Sequence, residues 1–177
     1  MLIYQTGLSN SDLWILPLDG SRPPFPYLNS SASESEGHFS PDQRFIAYVS
    51  NETGQSQIYV RPFQWPPTDT ETPGKWTISA GGGTAPRWRG NRLFYVRQDG
   101  HVMAVDAPTT PTFNPGKPKV LFKVSAPTGW AVSSASNPAA SNPWDVDRDG
   151  SRFLVPELSG DSLPFTLILN WNAGLKP

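Results

Sequence analysis

Short apolar runs and polar turns alternate along nearly the whole chain. The runs include Phe45-Ile46-Ala47-Tyr48-Val49, Gln57-Ile58-Tyr59-Val60, Lys75-Trp76-Thr77-Ile78, Arg92-Leu93-Phe94-Tyr95-Val96 and His101-Val102-Met103-Ala104-Val105. Val120-Leu121-Phe122, Arg152-Phe153-Leu154-Val155 and Phe165-Thr166-Leu167-Ile168-Leu169 are of the same kind. Each is β-branched or aromatic and is bounded by Gly, Pro, Asn or Asp, which predicts strands. Asn51-Glu52-Thr53-Gly54 and Gln98-Asp99-Gly100 separate pairs of runs and predict hairpin turns. No long window carries apolar residues spaced three and four apart, so no amphipathic helix is predicted. Pro and Gly also break every long stretch, and an interior Pro costs a helix about 3 kcal/mol. The expected class is all-β and antiparallel.

The runs repeat as a larger unit. Phe39-Ser40-Pro41-Asp42-Gln43-Arg44-Phe45-Ile46-Ala47-Tyr48 aligns position by position with Val146-Asp147-Arg148-Asp149-Gly150-Ser151-Arg152-Phe153-Leu154-Val155. Trp88-Arg89-Gly90-Asn91-Arg92-Leu93-Phe94-Tyr95 aligns with both through a shorter turn. Each unit is an apolar anchor, a tight polar turn and an apolar strand. Ile46, Leu93 and Phe153 correspond, at separations of 47 and 60 residues. The first separation suits a four-stranded blade, whose repeat is roughly 40 to 50 residues; the second contains an insertion. Leu2 to Thr6 resembles Ile46 to Ser50, and Asp12 to Ile15 resembles Gln57 to Val60, with no anchor before Leu2. The expected organisation is an incomplete first blade (1–33), a second (34–83), a third (84–125), a loop insertion (126–143) and a partial last blade (144–177). A blade has two apolar faces that it cannot bury alone, so blades must stack.

Composition narrows the function. The 177 residues include 7 Trp, 9 Phe and 5 Tyr, too many aromatics for a disordered polar tract. Charged residues make up only 16%, as mutually packed two-sided sheets require, and Pro reaches 20. The net charge of −1 excludes a generic electrostatic binder of nucleic acid. No apolar run approaches the roughly 18 residues of a membrane span, and Met1-Leu2-Ile3-Tyr4 lacks the basic head of a signal peptide. With no Cys, disulfides, Cys-based zinc sites and thiol catalysis are excluded.

Phe39-Ser40-Pro41-Asp42, the Gly81-Gly82-Gly83 to Pro86-Arg87-Trp88 junction and Asp147-Arg148-Asp149-Gly150 resemble β-propeller repeats of the TolB type, the Pro-Asp (PD40) variety of WD40-like repeat. Gln43 departs from the Gly usual at its position, and the middle repeat lacks the Pro-Asp pair. The resemblance implies a partial β-propeller of about three to four blades, completed by a second chain as a homodimer or by further blades of a parent chain. The ending Leu169-Asn170-Trp171-Asn172-Ala173-Gly174-Leu175-Lys176 resembles propellers that follow bacterial serine/threonine kinases. That implies a sensor or docking region for a protein or peptide, with an extracytoplasmic or periplasmic location, and no catalysis by this chain alone. An accessory propeller of a kinase or peptidase, and a calcium- or small-ligand-binding propeller, are the alternatives.

In a propeller the anchor strand is the innermost. His38, Arg87 and Asp145 each precede an anchor, so with Trp144 they are expected to line one mouth of the channel, extended by Glu36 and Glu34. The competing reading is a row of solvated polar residues at blade junctions. Asp145, Asp147 and Asp149 have the alternating carboxylates that open a calcium loop, but the closing Glu is replaced by Pro156, which favours an ordinary turn. Gly81-Gly82-Gly83 lacks the Lys-Ser/Thr ending of a phosphate loop. Only His38 and His101 could serve as an imidazole base, and no Gly-x-Ser-x-Gly elbow occurs. His101 is expected to be an exposed polar residue. No motif calls for a cofactor. Trp14, Trp76, Trp88 and Trp171 lie in strand runs and are expected to fill the space between blades. Trp65 and Trp130 lie in loops and are the candidate partner contacts.

Overall fold

The computed structural model describes residues 1–7, 10–66, 74–79, 81–124 and 144–155. Among them there is no helix, and none long and apolar enough to cross a membrane. The strands are β1 (Leu2–Thr6), β2 (Asp12–Leu16), β3 (Phe25–Leu28), β4 (Glu34–Phe39), β5 (Phe45–Ser50), β6 (Gln57–Pro62) and β7 (Trp76–Thr77). They continue as β8 (Thr84–Arg89), β9 (Arg92–Val96), β10 (His101–Asp106), β11 (Lys119–Lys123), β12 (Asp145–Val146) and β13 (Phe153–Leu154). They form four sheets, β1-β2-β3, β4-β5-β6-β7, β8-β9-β10-β11 and β12-β13. Every neighbour pair is antiparallel and consecutive in sequence. Such meanders, stacked face to face, are the blades of a partial β-propeller.

Stacking is visible in the side chains. Along β5 successive residues point to opposite faces, and all six positions are buried. Ile46 and Tyr48 pack with Leu13, Ile15, Tyr59 and Phe63 in the layer between the first and second sheets. Phe45, Ala47 and Val49 turn the other way, to Leu93, Tyr95, Trp88 and Phe113 between the second and third. Phe94, Val96 and Val102 then meet Trp144 and Val146 of the fourth. Burying one such side chain contributes about 1.5–3 kcal/mol, so the middle sheets draw stability from two layers at once.

The register bears out the alignment of the three anchors. Phe39 lies opposite Ile46, Trp88 opposite Leu93 and Val146 opposite Phe153. The turns correspond as well: Ser40 N–H donates to the Phe45 carbonyl at 2.8 Å, and Asp147 N–H to that of Arg152 at 2.9 Å. The triple glycine is the junction between the second and third sheets. Gly81 and Gly82 have φ of +82° and +89°, and Gly83 N–H donates to the Ser56 carbonyl at 2.9 Å.

Two features were not anticipated. β3 contains Pro26 and was not among the predicted strands; it is an edge strand, where a missing donor does no harm. In both complete inner strands the register with the next strand slips, between Ser35 and His38 and between Thr84 and Arg87. At these bulges Glu36 and Ala85 take φ of +52° and +56°. The expected strand at Phe165–Leu169, the insertion 126–143, Trp130 and Trp171 lie outside the described residues.

Candidate functional site

The bulges aim the residues that follow them. His38 and Arg87 hold equivalent positions on β4 and β8, opposite Ala47 and Phe94. Arg87 Nη1 donates to His38 Nε2 at 2.9 Å. A guanidinium can only donate, so Nε2 is the acceptor and the ring proton sits on Nδ1. Burial, then the positive charges of Arg87 and Arg89, press the His38 pKa down to about 4, against the opposing pull of Asp145. His38 is therefore neutral at pH 7.

The contacts continue into the fourth sheet. The Arg87 guanidinium carbon lies 5.8 Å from the centre of the Trp144 ring, a cation–π distance. Arg89, two residues along β8, donates from Nη2 to Asp145 Oδ1 at 2.5 Å and from Nε to the Val146 carbonyl at 2.6 Å. Glu36 reaches forward from β4, and its Oε2 accepts the Ala85 N–H at 2.6 Å. His38, Arg87, Trp144, Asp145 and Glu36 thus lie at the junctions of three sheets in three sets of contacts: His38 with Arg87 over Trp144, Asp145 with Arg89, and Glu36 on the Ala85 N–H. Arg89 belongs to the group and was missed, because a pair 56 residues apart leaves no local trace.

The placements differ within the group. Asp145 is open, with 57% of its side chain accessible. Trp144 is only 2% exposed, so its ring forms the floor under Arg87 rather than a lip. Its indole N–H is buried and meets no acceptor among the described residues. Glu34 does not extend the rim. It is 3% exposed, takes the Ser30 hydroxyl at 2.6 Å on Oε1, and burial raises its pKa.

The other candidates are used for structure. Asp147 Oδ1 accepts the N–H groups of Ser151 and Arg152 at 2.9 and 3.0 Å, and its Oδ2 pairs with Arg152 Nε at 2.8 Å. Asp149 Oδ1 accepts the Ser151 N–H at 2.9 Å. With Asp145 on Arg89, each carboxylate of the candidate calcium loop serves a protein donor. Among the described residues no group of three metal-ligating side chains is positioned for an ion. Trp65 is half-buried and stacks on Phe25 at 5.9 Å, because the loop after β6 folds back over the first layer. His101 is not simply exposed: its Nδ1 lies 3.0 Å from Asp99 Oδ1 and 3.3 Å from Arg97 Nη2. A cleft of about 440 Å³ opens between the third and fourth sheets, floored by Phe94, Phe122 and Phe153 and rimmed by Arg92, Asp106 and Lys119.

No family model matches the chain, and no curated protein does. Fourteen solved chains match in structure. One is the tricorn protease, at 16% identity and a TM-score of 0.42, over 63% of this chain and 10% of that one. The chain thus spans about a tenth of the length of that neighbour.

Proposed function

We propose that the chain is a non-catalytic propeller module that binds a protein or peptide, of the TolB type, within a larger bacterial signalling or envelope protein. The binding surface is the rim around His38, Arg87, Trp144 and Asp145, with Glu36 beside it. The observation that carries this reading is the placement of His38, Arg87 and Asp145 at equivalent positions on the inner strands of three successive sheets, with Arg87 bonded to His38 and Asp145 to Arg89. Such a patch, with an aromatic floor and charged groups of both signs, suits the mixed hydrogen-bonding edge of a polypeptide. The non-catalytic part of the reading is supported by both imidazoles being engaged with arginine, His38 with Arg87 and His101 with Arg97.

A random peptide display library screened on the immobilised chain tests this. Selected peptides are expected to bind saturably and to lose about tenfold in affinity to Asp145→Asn and His38→Gln, with the melting profile little changed. Selected peptides indifferent to both substitutions, or turnover of ATP or a peptide by the purified chain, overturn it.

A further inference from the structure

The repeat sets an aromatic plug between one pair of sheets and a cleft between the next. Ile46 and Leu93 hold equivalent positions, and the two sheets keep the same register around them. In the second sheet Phe45 lies opposite Pro62, Ala47 opposite Val60, and Val60 opposite Trp76. In the third, Arg92 lies opposite Asp106, Phe94 opposite Ala104, and Ala104 opposite Lys119. Phe45, Val60 and Trp76 thus correspond to Arg92, Ala104 and Lys119.

The two sets face successive gaps. Into the gap between the second and third sheets the loop 107–118 sends Phe113, whose ring lies 4.9 Å from that of Phe45 and 4.8 Å from that of Trp76. Val60 belongs to the same buried cluster. The equivalent gap, between the third and fourth sheets, holds the cleft of about 440 Å³. That volume falls within the roughly 300–1,000 Å³ of small-ligand sites. Ala104 in place of Val60 deepens it. Its walls are rings: Phe153 meets Phe94 at 5.6 Å and Phe122 at 5.0 Å, edge to face in both cases.

The mouth differs most. Arg92 and Lys119 stand where the neighbouring gap has Phe45 and Trp76, and both turn to one carboxylate. Asp106 Oδ2 lies 3.2 Å from Lys119 Nζ, and its Oδ1 lies 3.9 Å from Arg92 Nε, too far for a hydrogen bond. Two cations sharing one carboxylate leave the mouth with positive charge in excess. All three side chains are more than half accessible, so these ion pairs contribute little and exchange readily for another anion.

We infer that this cleft binds a small aromatic carboxylate. The ring lies among Phe94, Phe122 and Phe153, as Phe113 lies between Phe45 and Trp76 in the neighbouring gap, and the carboxylate meets Lys119 and Arg92. Edge-to-face contacts suit a flat ring, and charge-assisted hydrogen bonds at the mouth fix its orientation. The cleft shares no residue with the rim around His38 and Arg87, and either can fail alone.

The probe is 2-naphthoate, titrated into the 177-residue chain by calorimetry and amide-resolved NMR. Saturable binding that shifts the resonances of Ala104, Lys119 and Gly150 is expected, weakening as salt is raised. Naphthalene-2-carboxamide keeps the rings without the charge, and acetate keeps the charge without the rings. Each is expected to bind about tenfold more weakly or worse. Lys119→Met is expected to cost about tenfold, whereas Lys123→Met, on the same strand but outside the cleft, leaves binding unchanged. Asp106→Asn removes the competing carboxylate and is expected to tighten binding. Ala104→Leu fills the cleft and abolishes binding; the two surface substitutions, Lys119→Met and Asp106→Asn, decide the matter should that variant fail to fold. No binding at millimolar 2-naphthoate, equal binding of the carboxamide, or binding that Lys119→Met leaves alone or Asp106→Asn weakens, overturns the inference.

Discussion

Across the boundary between two sheets Arg87 donates from Nη1 to His38 Nε2 at 2.9 Å, and burial together with this positive charge keeps the imidazole neutral. The consequence is a pH dependence of stability. The native pKa of His38 is pushed down to about 4, from an ordinary value of 6.5. As the pH falls below 6.5 the unfolded chain takes up a proton that the native chain refuses. The contribution is therefore fully present above pH 6.5 and is lost as the pH falls toward 4. His38→Gln removes the titration and keeps a carbonyl acceptor for Arg87. Urea unfolding at steps between pH 7 and 4 is expected to show the wild type losing on the order of 2 kcal/mol more than the variant. Parallel curves for the two proteins reject the assignment.

Gln43 occupies a left-handed turn position, with φ of +57°. The repeat has Gly150 at the corresponding place in the fourth sheet, with φ of +75°. A residue with a Cβ is strained there by about 1–2 kcal/mol, and Gly offsets part of that gain through its greater freedom when unfolded. Gln43→Gly is expected to stabilise the chain by about 0.5–1 kcal/mol, read as a higher midpoint in urea at unchanged slope. An unchanged or lower midpoint contradicts the strain argument.

The Glu36 carboxylate satisfies the Ala85 N–H at the bulge of the next sheet. Ala85 is fully buried, and a buried donor left without a partner costs about 1–3 kcal/mol. Glu36→Ala is therefore expected to lower stability by about 1–2 kcal/mol, and Glu36→Gln by less, because the amide oxygen still accepts. Hydrogen exchange checks the location, since the Ala85 amide is expected to lose protection in Glu36→Ala before the amides of β10 do.

The sequence shows the repeat because anchors and strands are spelled in residue types with different burial. Phe39, Trp88 and Val146 align by residue type alone, and they pair opposite Ile46, Leu93 and Phe153 as that alignment requires. The three rim positions came from the same alignment, since a residue next to an anchor inherits its register. What stayed hidden depended on geometry that residue type does not encode. Glu36 and Ala85 adopt positive φ without being Gly, so neither bulge leaves a signal. β3 was masked by Pro26, because a proline reads as a break unless the strand is known to lie at an edge. Trp144 was expected at the channel mouth beside Asp145, and Trp65, lying in a loop, as a partner contact. Their burial is decided by the adjoining sheet and by Phe25, which lies forty residues away from Trp65.

Gly83 shows how tightly the second and third sheets meet. It is buried, and its φ lies outside the left-handed region, so its backbone would accept Ala without strain. Space is what forbids the methyl group. A Cβ at this position would lie 2.9 Å from Tyr95 Cδ2, 3.0 Å from Ile58 Cγ1 and 3.1 Å from Ser79 Cβ. Tyr95 and Ile58 are fully buried and Ser79 is 4% exposed, so none has solvent to move into. Overpacking of this kind costs about 1–3 kcal/mol, and Gly83→Ala is expected to fall in that range. Gly81 serves as the contrast: a Cβ there meets nothing within 4 Å but sits at φ of +82°. Gly81→Ala is thus destabilised by backbone strain alone. A double-mutant cycle separates the two causes. Truncating Ile58 to Ala opens room beside Gly83, so the methyl should cost less in that background, with a coupling of about 0.5–1 kcal/mol. Gly81→Ala should add its full cost whether Ile58 is present or not. Additive behaviour of Gly83→Ala and Ile58→Ala in urea unfolding would show that the two sheets are not packed through this contact.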